Sequence, residues 1–346
     1  MLKPATETMT QPPTTPDTGS DEPAEVLLGI DFGGTKVAIG IADPATGALL
    51  VEHRLDTNAP DGAVQAVDRA VSAAKQLLTD YARTHSVQLR AVGVVSPGIV
   101  LPDRILLAPN VPGWGRLRLR DEIAERIGAV PIATGTDAKA AALAEARWGA
   151  LAGADPGIFL SLGTGLAAAI VVGGHVLAGA NGASGEIGYN LRGVDDHGGF
   201  ANGNASLEEA VGGRWLGERA SALFARPMTA AELFALAEHD EVARELMNSA
   251  LDELAVHIAN LAITVDPARI AVGGGFTRSA GVVLPALRRR LTQAVPFPPE
   301  LVPARFEQDG ALRGAVALAM DLTSESIESD PRIELPAQTG CTRQVR

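Results

Sequence analysis

Asp31, Gly33, Gly34, Thr35 and Lys36 lie between two apolar runs, Val26 to Ile30 and Val37 to Ile41. Runs of this length read as buried strands, and the glycines between them as a tight hairpin turn whose backbone N–H groups can face one anion together. Gly33 and Gly34 allow close approach, Thr35 adds a hydroxyl, Lys36 a point charge, and Asp31 a carboxylate able to hold Mg2+ through water. That donor set suits nucleotide phosphates. An ordinary hairpin with a glycine turn fits the same residues, so the turn decides nothing without company.

Company is present along the chain. Asp137 follows a strand-like segment, Pro131 to Thr134, and precedes an alanine-rich helix, Ala138 to Trp148, so it reads as an N-cap at a strand-to-helix junction. Gly163-Thr164-Gly165 lies between Ile158–Leu162 and Leu166–Val172 and repeats the strand, glycine turn, strand order of the first element, which suggests two related lobes. Glu186 sits in a glycine-rich loop from Gly179 to Gly188, and Ser206-Leu207-Glu208 enters a helical region running to about Leu236. Gly273-Gly274-Gly275 follows the strand Ile270 to Val272 and leads toward a helix from about Ala280 to Leu291, an arrangement that seats part of a nucleotide on helix-terminal amides.

The elements that position these groups are legible from periodicity. Ala63 to Tyr81 is a helix, and Ala91 to Val95 a strand ending in the Ser96-Pro97-Gly98 loop. Ala108 to Trp114 is loop, Asp121 to Ile127 a short helix, and Ala311 to Leu322 a last helix. Met247, Leu251, Leu254, Ile258, Leu261 and Val265 form the apolar face of a helix from Glu241 to Val265, which Asp266-Pro267 stops.

At 346 residues the chain has room for two domains, and a formal net charge of -12 argues against nucleic-acid or anionic-membrane partners. No run approaches the roughly 20 apolar residues of a membrane span. Cys341 is the only cysteine, which excludes an internal disulfide and fits a reducing cytoplasm. The Thr-, Pro- and acid-rich start has no apolar signal core and reads as a disordered leader, so a soluble small-molecule protein is expected.

Three glycine elements in this order, with an acid at a helix start between the first two, resemble the actin-like ATPase superfamily and, within it, the ROK family of sugar kinases. The resemblance rests on Asp31-Phe32-Gly33-Gly34-Thr35-Lys36, on Ala108-Pro109-Asn110 with Pro112-Gly113-Trp114, on Asp137-Ala138, and on Leu162-Gly163-Thr164-Gly165. It continues through Gly179-Ala180-Asn181-Gly182-Ala183-Ser184-Gly185-Glu186-Ile187-Gly188 and Gly273-Gly274-Gly275, so that it spans about residues 26–322. It implies an α/β, two-lobed actin-like ATPase (ribonuclease H-like) fold. Residues 26–136, completed by the helix 311–322, would form a small lobe and 137–310 a large one, with 1–25 as leader and 323–346 as a polar tail.

The same resemblance implies ATP and Mg2+, transfer of a phosphoryl group to the primary hydroxyl of glucose or a glucose-like amino sugar or cyclitol, and a homodimer. Asp137 then resembles the catalytic base. Asp31, Gly33, Gly34, Thr35, Lys36, Gly163, Thr164, Gly165, Gly273, Gly274 and Gly275 resemble the nucleotide and phosphate contacts. Ser96, Gly98, Asn110, Thr136, Asp137, Glu186, Tyr189 and Glu208 resemble the sugar contacts. Taken singly, Asp137 is also a helix cap, Glu186 and Glu208 solvated carboxylates, and Asn110 a turn residue.

Two departures bear on this resemblance. Most of the family has a zinc site of one His and three Cys, whereas Tyr189, Gly199, Ala201 and Ser206 stand at the matching positions and His197 is isolated nearby, so no zinc site is expected. Thr136 stands in place of a sugar-touching Asn, and Tyr189 in place of a sugar-touching His. A bulkier, mostly apolar phenol predicts a compact glucose-like ring and poor acceptance of 2-acetamido sugars. A sugar-responsive regulator of the same family would need a helix-turn-helix ahead of the sugar-binding part, and the Pro-rich leader has no such pattern. Retention of Asp31, Lys36, Thr164 and Asp137 argues against a non-catalytic relative.

Overall fold

A computed structural model describes residues 23–108 and 112–323. Asn110, and nearly all of the expected leader and tail, lie outside the described residues. The strands β1 (Ala24–Phe32), β2 (Lys36–Ala42) and β3 (Leu49–Asp56) run as an antiparallel meander. Helix α1 (Ala63–Tyr81) leads to β4 (Val87–Ser96), then to a small hairpin of β5 (Ile99–Val100) and β6 (Ile105–Leu106), helix α2 (Leu119–Ile127) and β7 (Ile132–Thr136). The first sheet has the order β3-β2-β1-β4-β7, with β4 parallel to β1 and β7 parallel to β4.

Helix α3 (Asp137–Trp148) connects it to a second sheet whose first strands are β8 (Gly157–Leu162), β9 (Leu166–Val172) and β10 (His175–Val176). Four helices follow, α4 (Ser206–Val211), α5 (Gly213–Phe224), α6 (Ala230–Leu236) and α7 (Glu241–Val265). The chain ends in β11 (Arg269–Gly273), α8 (Ala280–Ala294), β12 (Glu300–Pro303) and α9 (Gly310–Thr323). The order β10-β9-β8-β11-β12 repeats the first sheet's pattern, an antiparallel hairpin on one side and two parallel strands on the other.

The alternation of side chains along the strands decides what covers each face. Val26, Leu28, Ile30 and Phe32 of β1 pack into one core with Val67 and Val71 of α1 and Ile123 of α2, while Leu27 meets Val316 and Ala319 of α9 on the opposite face. Ile158, Leu160 and Leu162 of β8 face the helices from α4 to α8, and Phe159 faces Ala141 and Ala142 of α3. Helix α3 therefore packs both on the second sheet and on α9. Small residues make this possible, since a Cβ on Gly93 would overlap the Ala315 carbonyl and one on Gly314 the Ala140 carbonyl.

Two local expectations change. The region from Ser206 to Leu236 is three helices rather than one run, broken at Gly212, whose extended backbone (φ -63°, ψ 145°) cannot continue a helix, and before Thr229, which starts α6 with a capping box to Glu232. Asp137 is the first helical residue, not the N-cap. Strand β7 pairs through Ser96 opposite Thr136, which leaves Thr136 extended at the cap position (φ -81°, ψ 138°).

Candidate active site

The first glycine turn is closed by the Gly33 N–H donating to the Lys36 carbonyl at 2.8 Å. A Cβ on Gly33 would lie 2.7 Å from that carbonyl oxygen, so the turn tolerates only glycine there. Thr57 holds the turn from below: its hydroxyl donates to the Gly33 carbonyl at 2.7 Å and its N–H to the Thr35 carbonyl at 2.9 Å. Thr57 is 1% exposed, and Arg69 donates to its carbonyl. Thr35 is exposed at the tip and Gly34 half-buried, which leaves the turn's outer surface accessible. Lys36 is exposed, its Nζ 2.5 Å from the Asp56 carboxylate.

Asp31 is the penultimate residue of β1, on the face that carries Leu27 and looks toward α9. Burial pushes its carboxyl up to about 7; the charge of Asp137 adds to that rise and the Arg54 guanidinium opposes it. The register explains Arg54, because Asp31, Ala38 and Arg54 form one row across β1, β2 and β3. Asp137 is also raised above the usual carboxylate range, mainly by burial, against the opposing effects of the Ala138 N–H, which donates to its Oδ1 at 2.7 Å, and of Lys139.

On the other side of Asp137, the Lys139 Nζ donates to the Gly182 carbonyl at 2.9 Å and lies 3.9 Å from a Glu186 carboxylate oxygen. Burial raises Glu186, Lys139 lowers it, and Asp137 and Glu208 raise it further. Burial also raises the Tyr189 phenol, with Glu208 and Glu186 adding to the effect. Asp137, Lys139, Glu186, Tyr189 and Glu208 thus share one electrostatic neighbourhood.

Ser96, Gly98 and Thr136, which the resemblance places at the sugar, make hydrogen bonds within the protein. Ser96 is fully buried; its hydroxyl accepts from the Trp114 indole at 2.6 Å and donates to the Pro97 carbonyl. The Thr136 hydroxyl donates to the Gly98 carbonyl at 2.9 Å. These bonds tie the β4 loop to β7 and to Trp114, because buried hydroxyls and carbonyls need partners within the protein.

The two later glycine elements pack on each other. The Gly163 N–H donates to the Gly165 carbonyl, and the Gly163 carbonyl accepts from Gly213. Gly274 has φ 85°, and a Cβ there would come within 2.5 Å of the Leu162 carbonyl oxygen, which places the Gly273–Gly275 segment directly against the Gly163 turn. Glu208 touches this turn as well: its Oε2 accepts from the Leu166 N–H at 2.8 Å. Burial raises Glu208 and that N–H lowers it.

Asp196 links the segments that carry Gly199 and Ser206. The Ser206 hydroxyl, the Arg192 N–H and the Gly199 N–H hold its carboxyl below the usual range. Phe200 meets Tyr189 edge to face at 5.7 Å between ring centres. Among the described residues no group of three His, Cys, Asp or Glu side chains is placed to hold a metal ion. Nor is any described helix long and apolar enough to cross a membrane.

The sequence profile of the ROK family matches residues 27–322. The chain belongs to the ROK family. Among ROK relatives, the glucokinase of Streptomyces coelicolor is 32% identical over 76% of this chain and 86% of its own length. The kanosamine kinase of Amycolatopsis mediterranei is 29% identical over 84% of this chain and 95% of its own. The crystal structure of a ROK family glucokinase from Streptomyces griseus, in complex with glucose and AMPPNP, superimposes with a TM-score of 0.70 and 27% identity, covering 86% of this chain and 99% of that one. The fold is thus the two-lobed actin-like ATPase fold of ROK sugar kinases. Thr57, Arg54 and Lys139 were not singled out from sequence, and for Lys139 no local pattern signals it, since residues two apart on a helix do not share a face.

Proposed function

We propose that this ROK chain is an ATP-dependent kinase that transfers the γ-phosphoryl group to the primary hydroxyl of glucose or a compact glucose-like ring. One observation supports the reading: Asp137 opens α3 two residues before Lys139, whose Nζ donates to the Gly182 carbonyl at 2.9 Å and lies 3.9 Å from Glu186, and the charge of Asp137 also raises Asp31 beside the first glycine turn.

Asp137 orients the attacking hydroxyl and takes its proton as the new P–O bond forms and the bond to the departing nucleoside diphosphate breaks. A buried carboxylate held in place suffices, because such transfers depend on positioning and charge stabilisation more than on base strength. The turn amides of Gly33 to Thr35 and those beside Gly163 to Gly165 and Gly273 to Gly275 would cradle the nucleotide, with Thr164 and Lys36 at their edges. The residues fit Mg2+: Asp31 is a hard oxygen donor, raised to about 7, which a cation would draw into its charged form. Bound there, Mg2+ would neutralise phosphate charge.

Glu186 and Glu208 would accept from ring hydroxyls. The Tyr189 phenol, which shares their electrostatic neighbourhood, would limit the space for ring substituents and favour a compact ring over a 2-acetamido sugar. A coupled assay of ADP release with ATP and a panel of hexoses, amino sugars and cyclitols tests the reading. Sugar-dependent ADP release is expected, and its absence with every acceptor would refute the function.

A further inference from the structure

Each carboxylate of the site has a positive partner, and two share the same one. Asp31 has Arg54 across the sheet; Glu208 has the Leu166 N–H and Arg214. Asp137 of α3, which also accepts from the Ala138 N–H, and Glu186 of the loop share the cation of Lys139, whose side chain is 14% exposed; burial lowers the pKa of this ammonium, and the two carboxylates oppose that effect. Tyr189 is uncharged, and Glu208 faces Glu186 with its own negative charge. Without Lys139, two carboxylates would face the acceptor with no cation from the protein, and burying unmatched charge is costly.

From this arrangement, and resting on the kinase reading above, we infer that Lys139 determines specificity: it is the site's built-in counter-ion at the acceptor end, and it makes the site prefer a neutral polyol ring to one bearing an ammonium group. The ε-ammonium, 3.9 Å from a Glu186 carboxylate oxygen, would compete with a ring amine for that carboxylate. A cationic acceptor meets the Lys139 ammonium as a like charge, whereas a neutral ring meets a Glu186 carboxylate that already shares this cation and can accept its hydroxyls. The bond to the Gly182 carbonyl fixes the ammonium in this place and fastens the loop to α3.

The test compares kcat/KM for glucose with kcat/KM for its 2-, 3- and 4-amino-deoxy analogues at about pH 6.5, where such amines are protonated. Lys139→Gln removes the charge and keeps a donor for Gly182; Lys139→Arg keeps the charge. The wild type is expected to favour glucose, Lys139→Arg to preserve that order, and Lys139→Gln to shift the ratio toward at least one amino sugar by about tenfold. Where a variant turns over too slowly, the same ratio is read from dissociation constants by calorimetry. A purely structural role would lower all acceptors together. An unchanged ratio in Lys139→Gln, with the wild type phosphorylating glucose, overturns the assignment of Lys139 alone. A wild type that phosphorylates no sugar overturns the kinase reading and this inference with it.

Discussion

The Glu208 carboxylate accepts a hydrogen bond from the Leu166 N–H at 2.8 Å, and a Cβ on Gly165 would lie 2.7 Å from the same oxygen. A residue expected only at the sugar therefore braces the glycine turn expected at the nucleotide. Glu208→Ala should raise the KM for sugar and also the KM for ATP, each by about five- to tenfold, the cost of one charge-assisted hydrogen bond. Steady-state kinetics with each substrate varied in turn checks this; a rise confined to the sugar would show that the bond does not couple the two ends.

Thr57 offers the opposite contrast, because its hydroxyl supports only the first turn. Thr57→Val keeps the shape, removes the donor to the Gly33 carbonyl, and should destabilise the protein by about 1–3 kcal/mol while raising the KM for ATP and leaving that for sugar near wild type. Thermal unfolding and the two KM values measure it.

What was legible beforehand, and what was not, follows from the range of each interaction. The α1 and α7 boundaries, the two hairpins and the glycine turns are written in short-range periodicity and in residues that only a tight turn requires, and they appear as expected. Thr57 and Arg54 reach the site through sheet register, a long-range property that no local pattern reveals. The hydroxyls of Ser96 and Thr136, which the resemblance places at the sugar, also bond to Trp114, Pro97 and Gly98, partners that only the packing of the loop reveals. Helix α3 begins one residue earlier than its sequence indicates because the pairing of β7 with β4 runs as far as Thr136.

Asp31 makes stability depend on pH in a defined direction. Its pKa is raised from 3.8 to about 7, so the folded protein binds a proton that the unfolded chain releases, and the stabilisation present below about pH 4 is lost as pH rises through about 7. Asp31→Asn, which is neutral throughout, should melt higher than the wild type at about pH 8, with the gap closing toward about pH 4. Melting curves across this range check it; a gap that widens on acidification would reverse the sign.

Asp196 bridges Arg192, Gly199 and Ser206 by hydrogen bonds in the region where the family resemblance places zinc. Purified protein should contain no stoichiometric zinc, and EDTA followed by excess Mg2+ should restore full activity. Asp196→Ala should speed amide hydrogen exchange between residues 190 and 206, whereas one zinc per chain by elemental analysis would contradict this account.

The most direct measurement is the kcat of Asp137→Asn with ATP and glucose, taken with the nucleotide dissociation constant on the same sample. The asparagine preserves the side chain's shape and its bond from the Ala138 N–H while removing the base. A fall in kcat of about 10²–10⁴ with nucleotide affinity unchanged is the predicted result. Wild-type turnover in this variant would contradict the assignment of Asp137 to the transfer step.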